Sequence, residues 1–261
     1  MSKIRPPAVA NQFYPANPEQ LQQDINTYLQ QARAVKLQPK ALIVPHAGYI
    51  YSGPIAASAY VSLQDMRKRI KKVVLLGPSH HIPFAGLAVS TAHGFLTPLG
   101  TVPLDIEAIA KIESMPQVNY LDAAHEQEHS LEVQVPFLQT VLDDFKLIPL
   151  VVGDADQQSV AEVLNQLWGD EETLIIISSD LSHYLSYEQA QVIDRRASDA
   201  IEALQPELIN HDMACGRNPL NGLLELLHTK NLQIKTLDLR NSGDTAGSKD
   251  RVVGYGAYAA Y

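Results

Sequence analysis

Four short stretches of this chain are apolar without alternation: Ala41 to Pro45, Val73 to Gly77, Leu147 to Val152 and Leu174 to Ser178. A strand with one face in water alternates apolar and polar side chains, so an unbroken run bounded by turn residues is a strand buried on both faces. Such strands need helices on both sides, and the intervening segments supply them. Asn17-Pro18-Glu19 reads as a helix start, with Asn17 as N-cap and Pro18 at the first helical position. The helix is predicted to run to about Ala34, with Leu21, Ile25 and Leu29 on one face. Further helices are predicted at 54–62, 105–114, 159–168, 186–204 and 219–228. The longest of these places Ala190, Ile193, Ala197, Ile201 and Leu204 at helical spacing. The closing segment, Val252 to Tyr261, alternates tyrosine with small residues and reads as a last strand. With no linker, repeat or low-complexity tract, residues 1–261 are expected to form one α/β domain, a central, mostly parallel sheet covered by helices.

Composition excludes several function classes. A formal net charge of -9 offers no basic surface for nucleic acid. The one basic run, Arg67 to Lys72, precedes a buried strand and is read as a solvated loop. A single cysteine, Cys215, excludes an internal disulfide framework. The N-terminus lacks the apolar core of a secretion signal, and no stretch approaches the ~20 apolar residues of a membrane span. A cytoplasmic protein with no membrane partner is the expectation.

Three of the buried runs end alike. Val44-Pro45 leads into His46-Ala47-Gly48-Tyr49, Gly77-Pro78 into Ser79-His80-His81, and Ser178-Ser179 into Asp180-Leu181-Ser182-His183. In an open parallel sheet ligands bind beyond the carboxyl ends of the strands, so these side chains have a common place to meet. Singly, a histidine after a strand is most often a loop or cap residue. Two at equivalent strand ends, with Asp180 and His183 at a third, point to one polar pocket and a metal ion. Neither Ser79 nor Ser182 lies in a Gly-x-Ser-x-Gly elbow, and both are expected to bond the backbone. His125-Glu126-Gln127-Glu128-His129 has the spacing of a zincin helix. However, Ser130-Leu131-Glu132 looks like a helix beginning there, which leaves His129 to hydrogen-bond in the pocket or cap the helix. Cys215-Gly216-Arg217 precedes a helix and could hold an activated thiol. Its default reading is a small buried hydrophobe.

Taken together, Pro45-His46-Ala47-Gly48-Tyr49, Gly77-Pro78-Ser79-His80-His81, Glu128-His129-Ser130-Leu131-Glu132, Ser178-Ser179-Asp180-Leu181-Ser182-His183 and Cys215-Gly216-Arg217 occur in an order that resembles the Memo family. The opening Arg5 to Pro15 and the closing Asn241-Ser242-Gly243-Asp244 and Val253-Gly254-Tyr255-Gly256 resemble its prokaryotic branch. The likeness covers nearly the whole chain. It implies a fold similar to the class III, LigB-type nonhaem iron dioxygenases. It also implies a metal held by His46, His80 and Cys215, catalytic roles for Asp180 and His183, and pocket positions for His81, His129 and Arg217. Where those dioxygenases use two histidines and a carboxylate, this chain offers two histidines and a thiol, a donor set suited to softer ions and itself oxidisable. The resemblance therefore implies iron or copper and a redox activity rather than ring cleavage. Two other functions fit the same residues: a non-catalytic module binding a small molecule or peptide, as the animal relatives bind phosphotyrosine peptides, and a zinc-dependent hydrolase.

Overall fold

The computed structural model describes residues 3–33 and 35–261. Four parallel strands form its centre, in the order β2 (Ala41–Val44), β9 (Thr173–Ser178), β3 (Lys72–Pro78) and β8 (Lys146–Val152). Every residue of β2 and β9 is buried, and β3 and β8 expose only their first lysine, as unbroken apolar runs demand. Antiparallel pairing enters only at the margins. β12 (Val252–Ala260) lies against β2 and carries β10 (His183–Leu185) and β11 (Ile234–Asn241). β4 (Leu87–Val89) runs antiparallel to β8 and parallel to β7 (Val118–Tyr120). A separate three-stranded sheet joins β1 (Ile4–Arg5), β5 (Gly94–Thr97) and β6 (Gly100–Pro103).

The helices follow their sequence signals with a few corrections. α1 (Pro18–Gln31) is capped by Asn17, whose side chain accepts from Gln20 N–H at 2.9 Å, and it buries Leu21, Ile25 and Leu29. It ends at Gln31, short of the predicted 34; Ala34 lies outside the described residues. α2 (Tyr49–Tyr60) begins five residues before the predicted start, with Pro54 in its interior rather than at its head, and a 3-10 turn follows at Val61–Met66. The carbonyl that loses its partner to Pro54 belongs to Ile50, which is exposed. α3 is only Ile106–Ala110. Beyond it the chain tightens, Ile112 N–H and Glu113 N–H both bonding to Ile109 O. α7 (Gln157–Gln166) and α9 (Arg217–Thr229) pack on each other over the sheet, and α8 (Tyr187–Glu202) packs on β11 and β12. On α8 the buried face carries Asp194 where Ile193 was expected, because the Asp194 carboxylate accepts Ser182 N–H at 3.0 Å. Among the described residues no helix is long and apolar enough to cross a membrane.

No zincin helix passes through His125 and His129, as the helix start expected at Ser130 implies. Residues 122–141 form three pieces, α4 (Asp122–Glu126), α5 (His129–Glu132) and α6 (Val135–Val141). Glu128 caps α5 by accepting Ser130 N–H at 2.9 Å, so the chain turns between His125 and His129. The ring of His125 is buried away from the other histidines, against Phe95, and donates from Nε2 to Ala88 O at 3.0 Å.

The elbow between α4 and α5 is fastened by the N-terminal segment. Glu132 accepts from Arg5 Nη1 at 2.6 Å, Ala8 N–H at 2.8 Å, Val9 N–H at 3.0 Å and the Tyr14 hydroxyl. Arg5 also donates to His125 O and Glu128 O, at 2.7 and 2.8 Å, and stacks on the Phe95 ring. Arg5 and Glu132 are both almost fully buried, so removing one charge strands the other. Glu132→Gln is expected to cost about 3–5 kcal/mol in urea unfolding; a loss under about 1 kcal/mol would show that the carboxylate does not hold the elbow. A second prediction concerns acid. Burial, aided by the neighbouring Arg5 charge, lowers His125 to about 4. An unfolded histidine titrates near 6.5, so between about 6.5 and 4 only the unfolded chain takes up the proton. Stability is complete above that window and falls, by up to about 3 kcal/mol, as pH drops through it. In His125→Gln, which keeps a donor for Ala88 O, the fall between pH 7.5 and 4.5 is expected to be shallower in urea melts.

Candidate metal centre

Register brings the three strand ends to one level, Val44 opposite Ser178 and Leu76 opposite Ile177. Two residues past the strand ends Val44, Pro78 and Ser178, His46, His80 and Asp180 emerge together at the carboxyl edge of the sheet, as their sequence positions predict. A fourth contributor arrives from far along the chain. Cys215 N–H bonds Asp180 O at 3.3 Å, and Gly216 N–H bonds Ser179 Oγ at 3.0 Å, which pins the turn before α9 to the loop after β9. A Cβ on residue 216 would stand 2.6 Å from Ser179 Cβ and 2.8 Å from Ser178 O, so the glycine is what lets Cys215 come so close.

Cys215 Sγ lies 3.3 Å from His46 Nε2. One donor atom from each of His46, His80 and Cys215 falls within 4.8 Å of the other two. Metal–sulfur and metal–nitrogen bonds of about 2.3 and 2.0–2.1 Å at near-tetrahedral angles would set sulfur and nitrogen roughly 3.3–3.6 Å apart. The geometry thus fits a transition metal. Proton placement fits it too. Glu128 accepts from the backbone N–H of His80 at 2.6 Å and meets Nδ1 at 2.8 Å, and an ionised carboxylate only accepts, so Nδ1 carries the hydrogen. Ser178 Oγ donates to Ser130 O at 2.6 Å and accepts from Gln134 Nε2 at 2.8 Å. Its remaining lone pair faces His46 Nδ1 at 2.9 Å, which must therefore also be protonated. Both imidazoles are left with a bare Nε2, the state a metal ligand needs.

Three groups supporting the histidines went unrecognised in the sequence reading. Glu128, buried, read as part of a zincin-like motif; its signal was its place just before a helix start. Burial raises its pKa, but hydrogen bonds and charge from His80, with Ser130 N–H, outweigh that and hold it well below the carboxylate range. Ser178 closes an otherwise aliphatic strand, and Gln134 is a buried amide in an apolar stretch, donating also to Pro45 O and accepting from the Tyr60 hydroxyl. Gly77 allows α5 to approach β3, since a Cβ there would lie 2.6 Å from Ser130 Oγ.

The remaining expected residues surround this core. Asp180 is buried and accepts His46 N–H at 2.7 Å; burial pushes it up to about 7 against that bond and the neighbouring His80 and Ala47 N–H. Burial, then the charge of Asp180, push the metal-free Cys215 thiol up to about 12. Burial, then the like-charged neighbours His80 and His129, keep His46 well below its usual range. His129 stacks on His80 with ring centroids 4.5 Å apart and packs against Phe13. Burial, followed by His80, lowers it to about 4. His183 sits exposed at the rim, Nδ1 donating to Leu181 O at 2.8 Å and Nε2 without a hydrogen bond among the described residues; Tyr184 after it has φ +58°, a left-handed conformation unusual for tyrosine. His81 is exposed, its ring 6.2 Å from that of His129, outside the donor cluster. Arg217 opens α9, half-buried, its Nε enclosed without a partner among the described residues. Ser79 bonds the carbonyl of Ile82 as expected, whereas the Ser182 hydroxyl, expected to do likewise, has no partner among the described residues. A cleft of about 690 Å³, lined in part by Ser79, Phe84, His211, Cys215 and Asn218, reaches the cluster on its sulfur side.

The pattern described as Memo-like protein matches residues 5–259. A MEMO1 family protein of Aquifex aeolicus is 37% identical, with 97% of each chain covered, and one of Archaeoglobus fulgidus 36%, again with 97% of each covered. One from Ignicoccus hospitalis is 37% identical over the same shares. With a family match spanning nearly the whole chain and full-length relatives in archaea and bacteria, the chain belongs to the Memo-like family.

Proposed function

We propose that this chain is a metal-binding redox protein that holds iron or copper through His46, His80 and Cys215. The observation that supports this reading is the convergence of one ring nitrogen from each of His46 and His80 and one thiol sulfur within 4.8 Å, from three distant segments. A bound iron or copper ion would supply one-electron chemistry and open positions for an external ligand. The protein's own part is separable from that. Ser178 and Glu128 hold the two imidazoles at fixed rotation and tautomer. Asp180 fixes the backbone of His46, and its main-chain carbonyl receives Cys215 N–H. His183, at the exposed rim with Nδ1 held by Leu181 O, would use Nε2 to hydrogen-bond a ligand arriving from solvent and to pass a proton to or from it.

The same donor set suits zinc, which would favour hydrolysis over redox chemistry. Elemental analysis of protein purified without an affinity tag decides between them. Near-stoichiometric iron or copper is expected, with loss of most of that metal in His80→Ala and in Cys215→Ala. Tightly bound zinc alone would select the hydrolase, and unchanged metal content in both variants would remove the centre altogether.

A further inference from the structure

The two histidines of the centre are supported by two residues at the start of one four-residue helix, its N-cap Glu128 and Ser130, and unequally. His46 is reached from the Ser130 carbonyl through a neutral hydroxyl, Ser178, which is itself tied to Gln134. His80 is reached from the N-cap of the same helix by a carboxylate, Glu128, which grips both its ring Nδ1 and its main-chain N–H. Glu128 has almost no contact with water, and its Oε1 also accepts Ser130 N–H at 2.9 Å, so it cannot swing away without breaking the start of α5. A carboxylate bonded to the far nitrogen of an imidazole makes the near nitrogen a stronger donor, because negative charge is pulled along the ring toward the metal. A hydroxyl does this far less.

Building on the proposed metal centre, we infer that Glu128 is a positioning residue that makes His80, the more accessible of the two imidazoles, the more strongly donating ligand of the set. His46, buried and neutrally supported, acts as the fixed anchor. The inference assigns to α5 a function beyond packing: its N-cap tunes one ligand while its carbonyl orients the other. His129, stacked on His80 at a 26° interplanar angle, covers one face of that ring.

The test is cobalt(II) titration of the full, untagged, metal-stripped chain in wild type and in Glu128→Gln, with thermal melts as a folding control. Neutralising the carboxylate at constant shape is expected to weaken cobalt binding by about 10–100-fold, while the sulfur-to-cobalt absorption band from Cys215 persists. In zinc-loaded, nitrogen-15-histidine-labelled wild type, the Nδ1 proton of His80 is expected well downfield of that of His46. In Glu128→Gln it should move upfield while that of His46 stays. Equal cobalt affinity in the two proteins would overturn the role of Glu128. So would a His80 in the zinc-loaded wild type that carries its proton on Nε2, a result that does not depend on the variant folding. If the wild type binds neither cobalt nor zinc, the metal centre itself is wrong and the inference falls with it; binding with an indifferent Glu128 defeats the inference alone.

Discussion

Four hydrogen bonds converge on the carboxylate of Glu132, from Arg5, from the main-chain N–H groups of Ala8 and Val9 and from the Tyr14 phenol, and all four donors lie in the first fourteen residues. A buried carboxylate is tolerated only when fully paired, so this one fixes where the N-terminal segment must lie. The same guanidinium holds the carbonyls of His125 and Glu128, which sets the break between α4 and α5. From that break Glu128 reaches His80, and Ser130 reaches Ser178 and through it His46. The orientation of both imidazoles thus traces back to one almost fully buried ion pair.

Close approach is the other condition. The centre brings together residues 46, 80 and 215, and the backbone must crowd to do so. Gly77 admits α5 against the end of β3, and Gly216 admits the Cys215 turn against the end of β9. At both places a side chain would collide with a residue that helps to position a histidine or the thiol, Ser130 beside Gly77 and Ser179 beside Gly216. The crowding leaves the cluster open on the His80 side, where His80, His81 and His183 are accessible, and toward the cleft beside Cys215.

Much of the fold was legible because its rules are local or depend on burial alone. Unbroken aliphatic runs cannot sit on a half-wet sheet, so β2, β3, β8 and β9 were readable as central strands. Asn17-Pro18 marked the start of α1 by its capping chemistry. The strand-end positions of His46, His80 and Asp180 put them at one edge for the same topological reason. The errors fell where neighbours override local preference. Pro54 sits inside α2 rather than opening it, α3 stops early in a tightened turn, and Asp194 takes an inward place on α8 because Ser182 N–H needs an acceptor.

By itself the sequence determined the strands, the edge at which the polar residues gather and, by resemblance, the family. Tertiary structure alone decided which atoms meet. Neither the 3.3 Å separation of Cys215 Sγ and His46 Nε2 nor the pairing of Glu128 with His80 is written in spacing, because each joins segments dozens to more than a hundred residues apart. The role of Glu128 changed most. In the chain it is one acid among several in a motif that resembles a metalloprotease helix. In the fold it is a buried cap whose carboxylate meets the ring and backbone of His80, the Ser130 N–H of the helix it begins and, at 3.5 Å, Nδ1 of His129, and a buried charge needs such partners.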